Sequence, residues 1–329
     1  MRPIPPLGFV LARASILITA LLLSPDCTST PAAPSVAPWE GAASTVTPPY
    51  YRIEGHGGAT LLLMGTIHLG PVEGWNFSPA LKDGIDEADS FIFEIDLREA
   101  TDERVSTILA NRVILPVSVT IEDVISPETA QLLNDHEVLL TELGLPELAR
   151  RRLKPWFLAV SMIEVASLQS GYSGVYSAES QILVALEDRP LAGLETFEAQ
   201  LAMFDALSPR HQDLMLADTL SRLDQTVEDI DELARAWGRN DQQTLEQIAY
   251  QGMNELPELK GFYDILFGDR NRDWVLQLGQ ILRDPERAGE TVFVAVGALH
   301  LVGPDSVVQM LEAEGYPAQP IHPQAEPPS

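Results

Sequence analysis

The sequence predicts a mixed α/β fold with a central, mostly parallel sheet and large helical insertions. Short apolar segments of strand length occur near both ends of the chain, and strands that alternate with helical patterns are typical of a parallel sheet. A long middle region carries apolar residues at three- and four-residue spacing, which indicates amphipathic helices. With 329 residues, 45% of them hydrophobic, the chain can bury one large core.

A strand–helix–strand unit opens the predicted domain. Thr60–Met64 is an apolar run that ends at Gly65, and Ser90–Ile95 is a second strand. The intervening segment Ser78–Ala88 is predicted as a helix, because serine is a favoured N-cap and a proline follows at the first helical position. Further strands are predicted later in the chain, at Leu191–Leu194 and, most clearly, at Thr291–Val296, with a last extended piece at Gln319–His322.

The remaining elements are predicted as helices from their apolar periodicity. They carry many acidic residues on the face expected to be exposed. Their predicted bounds are Pro127–Leu143, Trp156–Gln169, Ser177–Glu187, Pro209–Leu223, Val227–Arg239, Gln242–Asn254, Arg270–Leu282 and Pro304–Glu314.

The first residues are predicted to be a targeting signal. Arg2 and Arg13 form a positively charged segment before an apolar run, Ala14–Leu23, that is too short for a membrane anchor, and Ser35-Val36-Ala37 is a candidate cleavage site. The single cysteine, Cys27, precludes an internal disulfide. A lipoprotein anchored through Cys27 stays an alternative, although the residues before it match a lipobox poorly. The predicted organisation is a signal peptide over 1–37, a linker over 38–49, a domain over 50–322 and a disordered tail over 323–329.

Charge and missing motifs exclude several function classes. The formal net charge of −27 repels nucleic-acid phosphates and anionic membrane surfaces, so no nucleic-acid partner is expected. No transmembrane segment is expected in the mature chain, which we predict to be extracytoplasmic, either periplasmic or secreted. The sequence contains no phosphate-binding loop, no dinucleotide-binding glycine pattern after the first strand, no nucleophile elbow and no His-Glu-x-x-His helix.

Two matching turns mark the candidate site. Gly65-Thr66-Ile67-His68 and Gly297-Ala298-Leu299-His300 each follow an apolar strand and precede Leu and Gly-Pro. Glycine permits a sharp turn at the strand end, and ligands bind at the carboxyl ends of parallel strands. If the two strands are neighbours, the imidazoles can converge, and neutral imidazole is a common ligand of transition metals. Either histidine alone would more simply be a buried, hydrogen-bonded loop residue.

Four more positions carry candidate functional groups. Glu94 lies in the strand Ser90–Ile95, which we expect next to the strand of His68, and Glu195 ends another strand. A carboxylate in an apolar strand requires a partner or a metal, although Glu195 and Asp96 could instead cap the helices that follow them. Arg270 and Asn271 begin a helix, where Arg270 could clamp a substrate carboxylate or orient a glutamate, or simply pair with a neighbouring aspartate.

Taken in order, these motifs resemble the TraB/GumN family, which includes the Tiki-type metalloproteases. The resemblance covers about residues 50–321. It rests on the two Gly-x-x-His turns, on Phe93-Glu94-Ile95-Asp96, Lys154-Pro155-Trp156, Gly193-Leu194-Glu195-Thr196, Glu198-Ala199-Gln200-Leu201 and on Arg270-Asn271. It implies a fold distantly similar to erythromycin-esterase and haem-binding ChaN-type proteins, and a metal-dependent hydrolase centred on His68, His300 and Glu94.

The resulting functional prediction is an exported hydrolase, with peptides or small molecules as candidate substrates. His68, Glu94 and His300 are predicted to bind a divalent transition metal whose identity the sequence leaves open. Glu195 is the candidate general base, and Arg270 with Asn271 is expected to stabilise developing negative charge. Spacing leaves open which glutamate is ligand and which is base. The alternative is a non-catalytic protein that binds haem or a metal outside the cytoplasm.

Overall fold

The structure, a computed structural model, describes residues 44–321 except 100, 143 and 256–259. The predicted signal peptide, Cys27, the first half of the linker (38–43) and the C-terminal tail lie outside the described residues.

A six-stranded sheet forms the centre of the fold. Its strands lie in the order β10 (Ala318–Pro320), β2 (Tyr50–Glu54), β3 (Thr60–Thr66), β9 (Thr291–Gly297), β6 (Ser90–Phe93) and β8 (Leu191–Gly193). Strands β3, β9, β6 and β8 are parallel to one another, and β2 and β10 extend one side in antiparallel pairing. Four two-residue strands form two small separate pairs, β1 with β5 and β4 with β7. The strands are β1 (Thr45–Val46), β2 (Tyr50–Glu54), β3 (Thr60–Thr66), β4 (Gly70–Pro71), β5 (Asn76–Phe77), β6 (Ser90–Phe93), β7 (Tyr172–Ser173), β8 (Leu191–Gly193), β9 (Thr291–Gly297) and β10 (Ala318–Pro320).

The helices lie mostly in two long insertions, one between β6 and β8 and one between β8 and β9. A π-helical turn, Asp264–Gly268, joins α12 to α13. The helices are α1 (Pro79–Glu87), α2 (Asp102–Arg112), α3 (Pro127–Asp135), α4 (Glu137–Glu142), α5 (Glu147–Arg150), α6 (Pro155–Gln169), α7 (Ala178–Ala185), α8 (Phe197–Asp205), α9 (Pro209–Ser221), α10 (Thr226–Gly238), α11 (Gln242–Glu255), α12 (Lys260–Tyr263), α13 (Asp269–Arg283) and α14 (Val307–Ala313).

The sheet is buried on both faces, which explains why its parallel strands are continuously apolar. On one face, Met64 and Phe293 belong to the larger core, which packs under the helical insertions. On the other face, Leu63 and Val294 pack against α13 and α14 through residues that include Trp274. The predicted mixed α/β fold with a mostly parallel sheet is confirmed.

Three local predictions were wrong. The strand of Glu94, β6, is not next to β3, because β9 lies between them. The segment predicted as one helix over Pro127–Leu143 divides at His136, whose backbone leaves the helical conformation at φ −100° and ψ 10°. The helix predicted from Pro304 begins at Val307, because the Ser306 side chain caps it by accepting from Gln309 N.

None of the helices in the described part of the chain is long and apolar enough to cross a membrane.

Candidate functional site

The carboxyl ends of the four parallel strands meet at one edge of the sheet. In the register of β3 and β9, Thr66 lies beside Gly297, and Phe93 of β6 lies beside Ala295 of β9 and Gly193 of β8. The residues that follow these strand ends supply the site, namely His68 after β3, His300 after β9, Glu94 after β6 and Glu195 after β8. The fold therefore brings together four predicted site residues that are far apart in sequence.

The ring of His68 contacts a carboxylate through Nδ1 and also lines a cavity. Its Nδ1 lies 2.6 Å from Glu179 Oε1, and its Nε2 lies 3.8 Å from Glu94 Oε1. Burial by itself lowers the pKa of His68, but the nearby carboxylates of Glu179 and Glu94 outweigh that effect and raise the pKa above its usual value. Because Nδ1 contacts Glu179, Nε2 is the ring nitrogen that is available to bind or transfer a proton.

His300 has both ring nitrogens in hydrogen bonds. Asn271 Nδ2 donates to the carbonyl of Asp305 at 2.7 Å, which leaves Asn271 Oδ1 to accept from His300 Nδ1 at 2.6 Å. His300 Nε2 then accepts from Arg270 Nη1 at 3.1 Å. Burial and the adjacent guanidinium lower the pKa of His300 to about 3, so this imidazole is neutral. Its ring packs on Trp274, with 4.4 Å between ring centroids.

Arg270 is the centre of a closed network. Its Nε donates to Glu195 at 3.1 Å, and Nη2 donates to Glu94 Oε2 at 2.6 Å and also to Glu195. Its Nη1 donates to the carbonyl of Leu266 at 3.2 Å and to His300. A guanidinium has five N–H donors, and all five have protein acceptors here. Arg270 thus orients glutamates, one of its two predicted roles, and has no donor left for a substrate anion.

The two glutamates of the network differ in their electrostatics. Glu94 Oε1 accepts from Gly297 N at 2.7 Å, while Oε2 accepts from Arg270 and, at 3.1 Å, from Gln200. Although burial opposes ionisation, Arg270 and the two histidines lower the pKa of Glu94 to about 2. For Glu195, burial outweighs the contact with Arg270 and raises the pKa. Gln200 bridges the two carboxylates by donating to Glu195 Oε1 at 2.8 Å as well.

A cavity of about 40 Å³ lies in front of His68, which is room for water molecules or a small reacting group. Thr66 is 2% exposed, and its hydroxyl has no hydrogen-bond partner among the described residues. A buried hydroxyl without a partner is costly unless a water or ligand satisfies it. The polar lining residues are Thr66, His68, Glu94, Arg270 and His300, and the apolar walls include Leu233, Trp237 and Phe267.

The three predicted metal ligands do not present one set of donors. A metal ion requires a free lone pair from each ligand, all directed at one point. His300 Nε2 already accepts from Arg270 Nη1 at 3.1 Å, and Glu94 Oε2 accepts from Arg270 and Gln200. Within the described ranges, no group of three or more His, Cys, Asp or Glu side chains could hold a metal ion. This arrangement does not fit a three-ligand metal site.

Sequence reasoning missed three residues of the site. Gln200 and Thr66 lie inside the family-like motifs but have no predicted role, and Glu179 lies outside all of these motifs. The unpartnered Thr66 hydroxyl and the Glu179 contact exist only in the tertiary arrangement. Asn271, predicted to stabilise negative charge, instead orients His300.

Comparison with known proteins shows the family of the chain. The TraB/PrgY/gumN family model matches residues 49–320. The chain belongs to the TraB/PrgY/gumN family. Within this family it is similar to YbaP of Escherichia coli (strain K12), with 28% identity over 258 residues, which cover 76% of this chain and 86% of YbaP. YbaP of Shigella flexneri matches with the same identity and coverage. No solved structure matches the chain, and the likeness to erythromycin-esterase and ChaN-type folds stays a prediction.

Proposed function

We propose that this TraB/PrgY/gumN protein is a hydrolase in which His68 transfers the proton. One observation carries the proposal: His68 Nε2 has no hydrogen bond to a described residue and faces the cavity, while a carboxylate lies 2.6 Å from Nδ1. A histidine oriented by a carboxylate is the usual arrangement of a general base.

The proposed reaction adds water to a carbonyl carbon. Water held in the cavity by Thr66 Oγ1 and His68 Nε2 gives a proton to Nε2 as its oxygen bonds to the carbon. The carbonyl π electrons move to the carbonyl oxygen. As the tetrahedral intermediate collapses, the carbonyl double bond re-forms and the bond between the carbon and the leaving group breaks. His68 returns the proton to the leaving group, so the imidazole ends as it began. Peptide and ester bonds are both candidates for this chemistry.

The geometry favours His68 over Glu195 as the base. Glu195 is not among the residues that line the cavity, and its carboxylate accepts hydrogen bonds from Arg270 and Gln200. In this proposal Glu195 and Arg270 hold Glu94 in place. Glu94 in turn supplies negative charge 3.8 Å from His68 Nε2, where it stabilises the imidazolium that forms during proton transfer.

The metal stays a prediction from the family resemblance, and we route no step through it. The haem-binding alternative stays a prediction too. Export and an extracytoplasmic location stay predictions as well. A chelator-treated sample compared with samples supplied with manganese, cobalt or zinc will separate metal-dependent from metal-independent hydrolysis.

The test is cleavage of peptide and ester libraries by the purified chain and three variants. His68→Gln removes the proton-transfer group, and we expect kcat to fall about 10²- to 10⁴-fold. Thr66→Val keeps the side-chain shape but removes the hydroxyl, and we expect a smaller loss of about 10-fold, because one neutral hydrogen bond contributes about 1 kcal/mol. His56→Gln is the matched control, since His56 is exposed and does not line the cavity. Wild-type kcat in His68→Gln would overturn the proposal.

A further inference from the structure

Glu179 is a buried carboxylate whose role is unexplained by the motifs. It is 5% exposed, and neither of its oxygens has a hydrogen bond within the described residues. Among those residues its one polar contact is an ion-pair contact with His68 Nδ1, at 2.6 Å. A buried carboxylate without compensation is strongly unfavourable. The imidazole is therefore the group that offsets the burial of this charge.

A backbone hydrogen bond holds Glu179 next to the turn that carries His68. Glu179 is the second residue of α7, whose N-cap Ser177 accepts from Ser180 N at 3.1 Å. The next backbone amide, Ala178 N, donates to the carbonyl of Ile67 at 3.1 Å, directly before His68 in sequence. The positive end of the helix dipole also favours a carboxylate in the first turn. The two functional side chains thus come from segments joined by a backbone hydrogen bond.

A second backbone pairing reinforces this junction. Just after His68, β4 pairs antiparallel with β7, with Gly70 opposite Ser173. Strand β7 leads through a short turn into α7. Two connections, one on each side of His68 along the chain, therefore fix the position of Glu179 relative to the imidazole.

We infer that Glu179 is the positioning residue of His68. It holds a proton on Nδ1, which directs the Nε2 lone pair into the cavity. Glu179 does not itself line that cavity; it borders a second space of about 20 Å³, together with Ser177 and Ser180. It therefore acts through His68 and does not contact the reacting atoms. The inference rests on the proposed function of His68 as the proton-transfer group.

The experiment compares Glu179→Gln and Glu179→Asp with a matched control in the full-length chain. Glutamine keeps the size but removes the charge, and its amide can donate as well as accept, so it no longer imposes one tautomer. We expect kcat to fall about 10- to 100-fold with little change in KM. Aspartate keeps the charge and should restore part of kcat. Glu164→Gln is the control, because Glu164 is also a buried glutamate, 4% exposed, but does not line either space.

A second measurement separates this inference from the proposed hydrolysis. ¹⁵N chemical shifts of His68, recorded at a pH where the ring is neutral, report which nitrogen carries the proton. We expect the Nδ1–H tautomer in the wild type and in Glu164→Gln, and a mixture in Glu179→Gln. If the wild type hydrolyses nothing, the proposed function fails, and the chemical shifts still decide the role of Glu179. Wild-type kcat together with an unchanged tautomer in Glu179→Gln would overturn the inference.

Discussion

Replacing Arg270 with methionine tests whether the closed network stabilises the fold. Methionine keeps an unbranched stem of similar length, but it removes the charge that lies between Glu94 and Glu195. Both carboxylates would then stay buried. Gln200 would still donate to both of them, and the amide of Gly297 would donate to Glu94. Removing one partner of a buried ion pair leaves an uncompensated charge, which destabilises proteins by about 3–5 kcal/mol.

The pKa of Glu94 gives an independent magnitude. Arg270 is the largest of the causes that lower this pKa against the opposing effect of burial, from 4.5 to about 2. At about 1.4 kcal/mol per pKa unit, this shift corresponds to about 3 kcal/mol of folding stability. Because the folded-state pKa lies below the unfolded value, this stability is present above pH 4.5 and is lost as the pH falls towards 2. This net shift combines the opposing effect of burial with the contributions of Arg270, the two histidines and the Gly297 amide.

Urea unfolding followed by far-UV circular dichroism measures the loss. We expect Arg270→Met to lower the free energy of unfolding by about 3–5 kcal/mol at pH 7. The difference from the wild type should shrink as the pH falls from 4.5 towards 2. Arg272→Met is the matched control on the same helix, because Arg272 is 55% exposed and pairs with Asp269 at the surface; its expected cost is about 0–1 kcal/mol. Equal unfolding midpoints for the two variants would refute the network as a source of stability.

Three further predictions concern neighbouring positions. Gly297→Ala places a methyl group 3.1 Å from Glu94 Oε1 and 3.2 Å from His68 Nε2. We therefore expect kcat to fall at least about 10-fold and the free energy of unfolding to fall by about 1–3 kcal/mol. An unchanged kcat in steady-state assays would contradict this prediction. His300→Leu leaves a guanidinium donor and an amide oxygen without their partner and should cost about 1–3 kcal/mol in urea unfolding, whereas a wild-type midpoint would mean that the ring supports nothing. Burial raises the pKa of Glu164 from 4.5 to about 7; the stability linked to its proton is therefore present below pH 4.5 and lost as the pH rises to about 7. The free energy of unfolding of Glu164→Gln should accordingly exceed that of the wild type by up to about 3 kcal/mol at pH 8 and by little at pH 4. An equal difference between the two proteins at both pH values would show that the pKa of Glu164 is not raised.

Local patterns predicted the elements that carry the site. The continuously apolar runs of β3 and β9 indicate strands buried on both faces, because no exposed face breaks the run with polar residues. The serine and proline at Ser78 and Pro79 predict the start of α1, and the Ser78 side chain accepts from Leu81 N as an N-cap should. The convergence of His68 and His300 follows from strand adjacency, which the matched turns suggested and the pairing of β3 with β9 confirms.

Strand order and the partners of the charged groups could not be predicted in the same way. The expectation that β6 adjoins β3 assumed that strands consecutive along the chain pair directly, but β9 from the far end of the sequence inserts between them. Apolar periodicity reports whether a residue is buried, and it carries no information about which strand lies alongside. For the same reason the sequence allowed Arg270 to bind a substrate carboxylate, a glutamate or a neighbouring aspartate. Only the structure shows that it contacts Glu94 and Glu195.

The sequence by itself determined the strands, the two histidine turns and the family to which the chain belongs, because these depend on residue type at short spacing. Only the tertiary structure decided that the two histidines differ. The ring of His300 is fixed between Asn271 and Arg270, while His68 is supported by Glu179 and directs Nε2 into the cavity. Identical motifs acquire different environments because the side chains around them come from α7 and α13, whose positions depend on how the whole chain packs.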